Sequence, residues 1–473
     1  VTDYYVKHNG DDAAAGTSIA TAWRTIGKGA STIGAGDRLL LVNDFSTYGP
    51  YWAGNLVSST SGAKGAMGVF TDANVNFTDF DGNGNSVRPG DRLLCGLVMT
   101  TYTESFWVVS VTDAHTLVLS GTPSASNPIT YVIRDQSGTS SAYPAIYWNS
   151  GNGSEANNAW QTLMSQDIAS PSIIAGTAAL ARGTDADLLW INAANQIVRG
   201  LKFDMALGGR WGIRCYDSAQ NNLWAAQILD NIFTGAGARG ITVNQSFRAL
   251  VSGNDISDFY DVGIFIYNLL AGGTLIINNR IHDGFGNGSQ NINGIGTGGS
   301  TDGIGSIFAG NLIYNISSPS GSYAATGILN GGYGGHSFYN NTVYNISNSG
   351  DASKAYGFVQ DNALRSTLSL FNNIFSDCYE GIWVNNGSIA EVGYNCLHGC
   401  TNNYGGDKLS GPTIEGSDVL EDPRFADAAN GDFTPQNVNV LFGGQPDQEG
   451  NPATIGAIDP PTPYYALLRE KLA

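Results

Sequence analysis

From Trp211 to Cys400 apolar and polar positions alternate with the period of two that marks β-strands, and turns rich in Gly, Asn and Asp interrupt the alternation. Two strands recur in each repeat. The first opens on Gly and an apolar residue: WGIRCY from Trp211, RGITVN from Arg239, VGIFIY from Val262, NGIGTG from Asn293, TGILNG from Thr326, YGFVQD from Tyr356 and EGIWVN from Glu380. The second closes on Asn231, Asn254, Asn279, Asn311, Asn341, Asn373 or Asn395, and an apolar residue follows two places later (Phe233, Ile256, Ile281, Ile313, Val343, Phe375, Leu397). A unit of this size buries its apolar edge only by stacking on the next one. The pattern therefore predicts an all-β solenoid, a parallel β-helix with one coil per repeat. Longer repeats carry loops, around Phe285 to Ser300 and Ser317 to Ala325.

Stacked Asn residues form amide ladders, so the Asn column is read as structural. Four places on, Asp258, Asp283, Asn315, Asn345 and Asp377 share a second column, read as Asx-type turn residues. Residues 56–135 depart from the repeat. There alternating strands joined by turns predict a small β-barrel-like insertion. The organisation that follows is 1–55 for an N-terminal cap and first coil, 56–135 for the insertion, 136–400 for the β-helix and 401–473 for the last coils and a capping segment. Tyr464 to Ala473 read as a short amphipathic helix. In the insertion Asp79, Asp81, Asn83 and Asn85 place oxygens at alternate positions, as a calcium loop does, but the distal bidentate Glu is missing. An ordinary Asx-Gly turn is the competing reading.

Composition narrows the partners. Of 473 residues only 13% are charged, acidic residues outnumber basic ones 40 to 22, and the formal charge of -18 repels a nucleic-acid backbone. No apolar run reaches membrane-spanning length, so a soluble chain without a membrane partner is expected. The 5 cysteines do not make a disulfide framework, yet Cys378 and Cys400 each lie five positions after a column Asn and are expected close together, bonded or not. No cofactor is required by the pattern, calcium being the one candidate.

These repeats resemble those of the pectate-lyase-like superfamily of right-handed β-helices, which holds polysaccharide lyases, polygalacturonase-like hydrolases and phage tailspikes. The opening DYYVKHNGDD with TSIATAWRTIGKG and GDRLLLV, and the closing DPRFADAANGDF with IGAIDP, look like the usual first and last turns of such helices. The resemblance implies right-handedness, a polysaccharide partner, an extracellular or virion-associated setting and, by likeness to tailspikes, a homotrimer. It implies a fold and leaves the reaction open.

Candidate chemistry follows from the first strands. With the residue after Gly facing the core, period two sends Arg214 and Tyr216, Thr242 and Asn244, Phe265 and Tyr267, Gly296 and Gly298, Leu329 and Gly331, Val359 and Asp361, and Trp383 and Asn385 outward. One strip results. Tyr216, Phe265, Tyr267 and Trp383 offer faces to sugar rings, Arg210, Arg214, Lys354 and Asp361 offer polar hooks, and the glycines form a low floor. A strip covered by loops is the alternative.

For glycoside hydrolysis two carboxylates are needed. In polygalacturonase-like relatives the catalytic Asp residues sit at the start of Gly-Ile strands in a Thr-Asp-Gly-Ile context, which the resemblance carries to Asp261 before Val262-Gly263-Ile264 and to Asp302 before Gly303-Ile304. The paired Asp-Asp, Gly-His-Gly and Arg-x-Lys signatures of those relatives are missing, and each Asp is equally readable as a turn residue. Elimination needs a cation and a base: Arg210, Arg214 and Arg239 cluster on two successive coils near Asp261 and Tyr260, so an Arg would supply the cation and Tyr260 or Lys354 the base; the arginines are equally readable as ion-pair partners of Asp217 or Asp261. His282 is read as a turn residue. The sequence thus supports a polysaccharide-binding and polysaccharide-cleaving β-helix, hydrolase ahead of lyase, against a non-catalytic glycan-binding adhesin or virion structural protein.

Overall fold

The computed structural model describes the chain except for residues 8–9, 44–46, 49–56, 80–86, 88–91, 99–100, 135–145, 149–159, 176–186, 193–194, 206–210, 217–222, 225, 236, 245, 268–272, 300–304, 333–334, 362–366, 386–387, 408–416, 446–452 and 458–473. Contacts divide it into two compact units, Val1–Trp190 with Ala206–Arg210, and Ile191–Met205 with Trp211–Ala473.

In the first unit the strand Asp3–Val6 pairs in parallel with Arg38–Leu41, which pairs in parallel with Gln161–Ser165. The helix Ile26–Thr32 lies between the first two in sequence. Thr25 caps it, its hydroxyl accepting from Lys28 N at 3.1 Å. Between the second and third strands sits a closed barrel in the order Val57–Lys64, Val69–Thr71, Thr116–Leu119, Thr101–Asp113, Arg92–Val98 and Ile129–Arg134. Closure leaves no unpaired sheet edge. Phe70, Phe77, Leu93, Leu117 and Tyr131 fill its interior, and the Tyr131 hydroxyl reaches the buried Asp72 at 3.0 Å.

The second unit is a parallel β-helix built from three sheets. The Gly-Ile sheet runs Trp211–Tyr216, Arg239–Asn244, Val262–Tyr267, Ile292–Gly298, Ala325–Asn330, Ala355–Gln360, Glu380–Val384, Asn402–Gly405. A second sheet holds the strands that end just before each column Asn, from Gln227–Leu229 to Ser388–Gly393. A third holds those that follow it, from Ile232–Thr234 to Cys396–His398. Each strand pairs in parallel with its counterpart one coil on. No helix among the described residues is long and apolar enough to cross a membrane.

The Asn column is a continuous buried ladder. Asn231, Asn254, Asn279, Asn311, Asn341, Asn373 and Asn395 follow one another at 23, 25, 32, 30, 32 and 22 residues, each donating from Nδ2 to the next Oδ1 at 2.9–3.0 Å. The same Oδ1 also accepts the backbone N–H of the preceding Asn, at 3.1 Å for Asn279 to Asn311. The ladder ends on a carboxylate, Asp418, which accepts from Asn395 N at 2.6 Å.

The residue before each Asn turns the chain at positive φ: Asp230, Gly253, Asn278, Gly310, Asn340, Asn372 and Tyr394. The second column does so as well, with Asp258, Asp283, Asn315, Asn345 and Asp377 at φ between 53° and 57°. Asx side chains tolerate this conformation because they bond locally to backbone or to each other. Asn345 donates to Asn315 at 2.8 Å and Asn315 to Asp283 at 2.9 Å, so this column is a short exposed ladder of its own.

The C-terminal segment folds back along the third sheet. Phe433 of the hairpin Phe425–Asp427 with Asp432–Pro435 packs on Tyr314 and Tyr344, with ring centroids 4.8 Å and 5.3 Å away. Beyond it Val440 and Ile455 bury against Ile374 and Cys396.

Candidate functional site

The Gly-Ile strands stack in the register that the sequence predicts. Ile213, Ile241, Ile264, Ile295, Ile328, Phe358 and Ile382 form one inward column, and Arg214, Thr242, Phe265, Gly296, Leu329, Val359 and Trp383 the outward row beside it. Tyr216, Asn244, Tyr267 and Gly298 align in a further outward row.

The glycine of each motif departs from strict alternation. A Cβ on Gly240 would sit 2.7 Å from Ile256 and 2.8 Å from the carbonyl oxygen of Gly263, and Gly263, Gly294 and Gly327 meet the same pair of obstacles. Both the glycine and the Ile after it therefore face the core. The residue ahead of the glycine is thereby turned outward, which creates a third row that period two did not foresee: Trp211, Arg239, Val262, Asn293, Thr326, Tyr356 and Glu380.

The first coils of this face hold a cationic and aromatic cluster. The Arg214 guanidinium lies 4.5 Å from the Trp211 ring and 4.8 Å from the Tyr216 ring, and that of Arg239 lies 4.4 Å from the Phe265 ring and 5.5 Å from Trp211. Each such contact is worth about 0.5–2 kcal/mol, depending on how far it is desolvated. Arg239 Nε also donates to Asp261 Oδ2 at 2.7 Å, with the two side chains 20% and 10% exposed. The ion-pair reading of Arg239 and the candidate status of Asp261 thus meet in one contact. Tyr260 precedes Asp261 in the same turn, where its N–H donates to Gly237 O at 3.1 Å.

Phe265 and Tyr267 are stacked at 5.8 Å, and Tyr267 is 37% exposed. Their rings reach over the next coil. A Cβ on Gly296 would lie 3.3 Å from Phe265, and one on Gly298 3.2 Å from Phe265 and 3.3 Å from Tyr267. Gly296 and Gly298, expected to leave an open floor, instead make room for this aromatic pair. Further along, Tyr356 and Trp383 lie 5.8 Å apart, and Glu380 accepts from Asn402 Nδ2 at 2.9 Å. Lys354 is committed to the neighbouring loop, donating to Gly321 O at 2.5 Å and lying 3.6 Å from Asp351. Asp361 is exposed just past the strand Ala355–Gln360.

Several buried polar atoms on this face find no hydrogen-bond partner among the described residues: Thr242 Oγ1, Asn244 Oδ1, Asn293 Oδ1 and Glu380 Oε2. Arg210, Asp217 and Asp302 lie outside the described residues, as do Asp81, Asn83 and Asn85 of the calcium-loop reading. Asp79 is described, in the turn that follows Asn76, whose Oδ1 accepts from the Asp79 N–H at 3.2 Å. Among the described residues no group of three or more His, Cys, Asp or Glu is placed to hold a metal ion.

Carboxylate spacing bears on hydrolysis. Asp261 and Glu380 belong to coils four steps apart, roughly 19 Å at about 4.8 Å per step, well beyond the ~5–9.5 Å of paired glycosidase carboxyls.

A second titratable cluster lies on the third sheet. His282 belongs to the strand Arg280–Phe285 rather than to a turn, with Nε2 2.8 Å from Asp255 and Nδ1 2.7 Å from Asp283, and it stacks on Tyr314 at 4.9 Å. Burial opposes its charged form, but hydrogen bonds and attraction from the two carboxylates outweigh burial and raise its pKa. Arg280 donates to the Tyr314 hydroxyl at 2.8 Å, and Phe433 packs on the same Tyr314 ring. The cluster is the footing of the C-terminal hairpin.

No family model and no curated protein sequence matches the chain. Among solved structures the pectate lyase Pel9A is similar at 13% identity and a TM-score of 0.46, over 97% of this chain and 96% of that one. A rhamnogalacturonan lyase is similar at 11% identity and a TM-score of 0.45, over 99% and 98%. A lacto-N-biosidase of family GH136 from Eubacterium ramulus is similar at 10% identity and a TM-score of 0.42, over 89% and 68%. The likeness lies in the fold.

Proposed function

We propose that the outward face of the Gly-Ile sheet binds and acts on an acidic polysaccharide. The observation that carries this reading is the interleaving of Arg214 and Arg239 with the rings of Trp211, Tyr216 and Phe265, continued by the exposed Tyr267. Sugars present apolar C–H faces to such rings, and uronate carboxylates pair with guanidinium. The net charge of -18 does not oppose this, because beyond about 8 Å at physiological ionic strength exposed charges are largely screened and the local cations decide. Such a substrate places the protein outside a cell or on a virion.

Two chemistries are proposed for the face. In hydrolysis Asp261, accepting from Arg239, takes the base's part and Asp302 the acid's. In elimination Arg239 neutralises the uronate carboxylate while Tyr260 removes the adjacent proton. A panel of acidic and neutral polysaccharides, read for new reducing ends and for ultraviolet absorbance of unsaturated products, separates them. Hydrolysis raises reducing ends alone; elimination raises both signals. Binding with neither signal is the adhesin or virion structural reading, and absence of binding to every acidic member of the panel overturns the proposal.

A further inference from the structure

Cys378 and Cys400 occupy the same place on consecutive coils. Each follows by one residue a turn position at positive φ, Asp377 at 55° and Gly399 at 65°. The strands on both sides fix the register, Ser376 opposite His398 and Glu380 opposite Asn402, and between them Thr401 N donates to Cys378 O at 3.4 Å. Equivalent turns one coil apart put the two Cα atoms about 4.8 Å from each other, inside the ~4.4–6.8 Å that a disulfide spans. Cys400 Sγ also points back across the step. It lies 3.7 Å from Phe375 O in the coil of Cys378, whose own Sγ is 3.5 Å from Ser376 O.

The structure assigns Cys378 and Cys400 as the site at which this protein forms an intrachain disulfide. The partner of the reaction is a small disulfide oxidant such as glutathione disulfide. Cys400, the more exposed of the two, loses its proton and attacks one sulfur of the oxidant, releasing one glutathione thiolate and forming a mixed disulfide on Cys400. Cys378 then loses its proton and attacks the Cys400 sulfur, expelling the second glutathione. Two protein thiols are oxidised, one glutathione disulfide is reduced to two glutathiones, and the chain loses two hydrogens.

The order of attack agrees with the surroundings. A hydrogen bond from Cys378 favours the thiolate of Cys400, whereas the same bond and burial hold Cys378 well above the ordinary thiol range. The remaining cysteines are poor competitors: burial pushes Cys95 up to about 11 and both Cys215 and Cys396 up to about 12. Cys396 also donates to Glu421 O at 3.3 Å. The bond would staple the turns that lead directly into the strands Glu380–Val384 and Asn402–Gly405, and so fix the last two coils of the candidate face.

The test uses the folded full chain in a series of glutathione disulfide to glutathione ratios, quenched with acid, alkylated and digested without reductant. The expected product is one cross-linked peptide pair joining Cys378 to Cys400, with Cys95, Cys215 and Cys396 alkylated. Five alkylated cysteines at every ratio, or a bridge through Cys396, overturns the assignment. The variants check the order of steps without requiring the bridge itself: Cys378→Ser should accumulate glutathione on Cys400, and Cys400→Ser should leave Cys378 unmodified. Glutathione accumulating on Cys378 in Cys400→Ser overturns the proposed role of Cys400 as the attacking thiol.

Discussion

The same coils carry two rows of opposite character. Along the buried Asn ladder the residue is the same at every step, from Asn231 to Asn395. Along the outward row of the Gly-Ile sheet it changes at every step, through Arg214, Thr242, Phe265, Gly296, Leu329, Val359 and Trp383. Both rows obey one register. Inside, an amide must give and accept at every step, so any other side chain interrupts two coils at once. Outside, no side chain has to match the one below it, so exposed positions such as Tyr267 and covered ones such as Thr242 and Val359 alternate along the face. Repetition in this protein specifies the fold, and departures from it carry the chemistry.

Breaking the inner row should have the largest effect. Asn311 donates to Asn341 and to Ile276 O, and accepts from both the N–H and the Nδ2 of Asn279. Asn311→Ala leaves two buried donors of Asn279 without that acceptor, and Asn341 keeps the backbone N–H of residue 311. At ~1–3 kcal/mol for each stranded buried group the expected loss is about 3–5 kcal/mol, read as a shift of the denaturant midpoint. A loss below about 1 kcal/mol would mean the coils are held by apolar stacking alone. Glycan affinity of the protein that remains folded should be unchanged.

That division explains what could be read without coordinates. Two of the three sheets, the register and the turn role of Asp258, Asp283, Asn315, Asn345 and Asp377 follow from identities that recur at fixed places. The outward turn of Arg239 and Glu380 does not, since strict alternation sends the glycine outward. Its signal was present in the sequence: a glycine at one position in all seven strands marks missing space, here the space taken by Phe233, Ile256, Ile281 and their successors. Cross-coil side-chain contacts, such as Arg239 over Phe265 or His282 between Asp255 and Asp283, depend on the bends of long side chains and on which loop separates two coils. The packing of Phe433, Val440 and Ile455 back on the third sheet lies outside the repeat altogether, and periodicity says nothing about where they pack.

The ion pair on the outer row sharpens the contrast at intermediate size. Arg239 and Asp261 are largely but not wholly covered, so Arg239→Met strands a carboxylate that retains some access to water. The expected loss is about 1.5–3 kcal/mol, smaller than for the ladder. Adding Asp261→Asn should restore part of the stability, because no unpaired charge remains. It should not restore acidic-glycan binding if Arg239 meets the substrate. A double variant that recovers both would make the pair an internal brace and take Arg239 out of the site.

The smallest effect on stability, and the sharpest on the proposed site, should come from Tyr267. Its side chain is 37% exposed and its contact with Phe265 is a single stacked pair, so Tyr267→Ala should cost only about 0.5–1 kcal/mol of folding free energy. Loss of one stacking platform is worth about 1 kcal/mol of binding, or roughly five- to tenfold in affinity, and Tyr267→Phe should retain most of it because the ring face remains. Trp383→Ala supplies the other arm of the comparison, since Trp383, in the neighbouring outward row that holds Phe265, lies at the acidic end of the same face beside Tyr356 and Glu380. A glycan that follows the whole face loses affinity with both changes. One held only by the cationic end loses it with Tyr267→Ala alone, and a chain-length series of oligosaccharides should then level off once the coils up to Tyr267 are covered. Equal affinity in wild type and in both Ala variants would mean that the outward row, for all its variety, is not where the sugar lies.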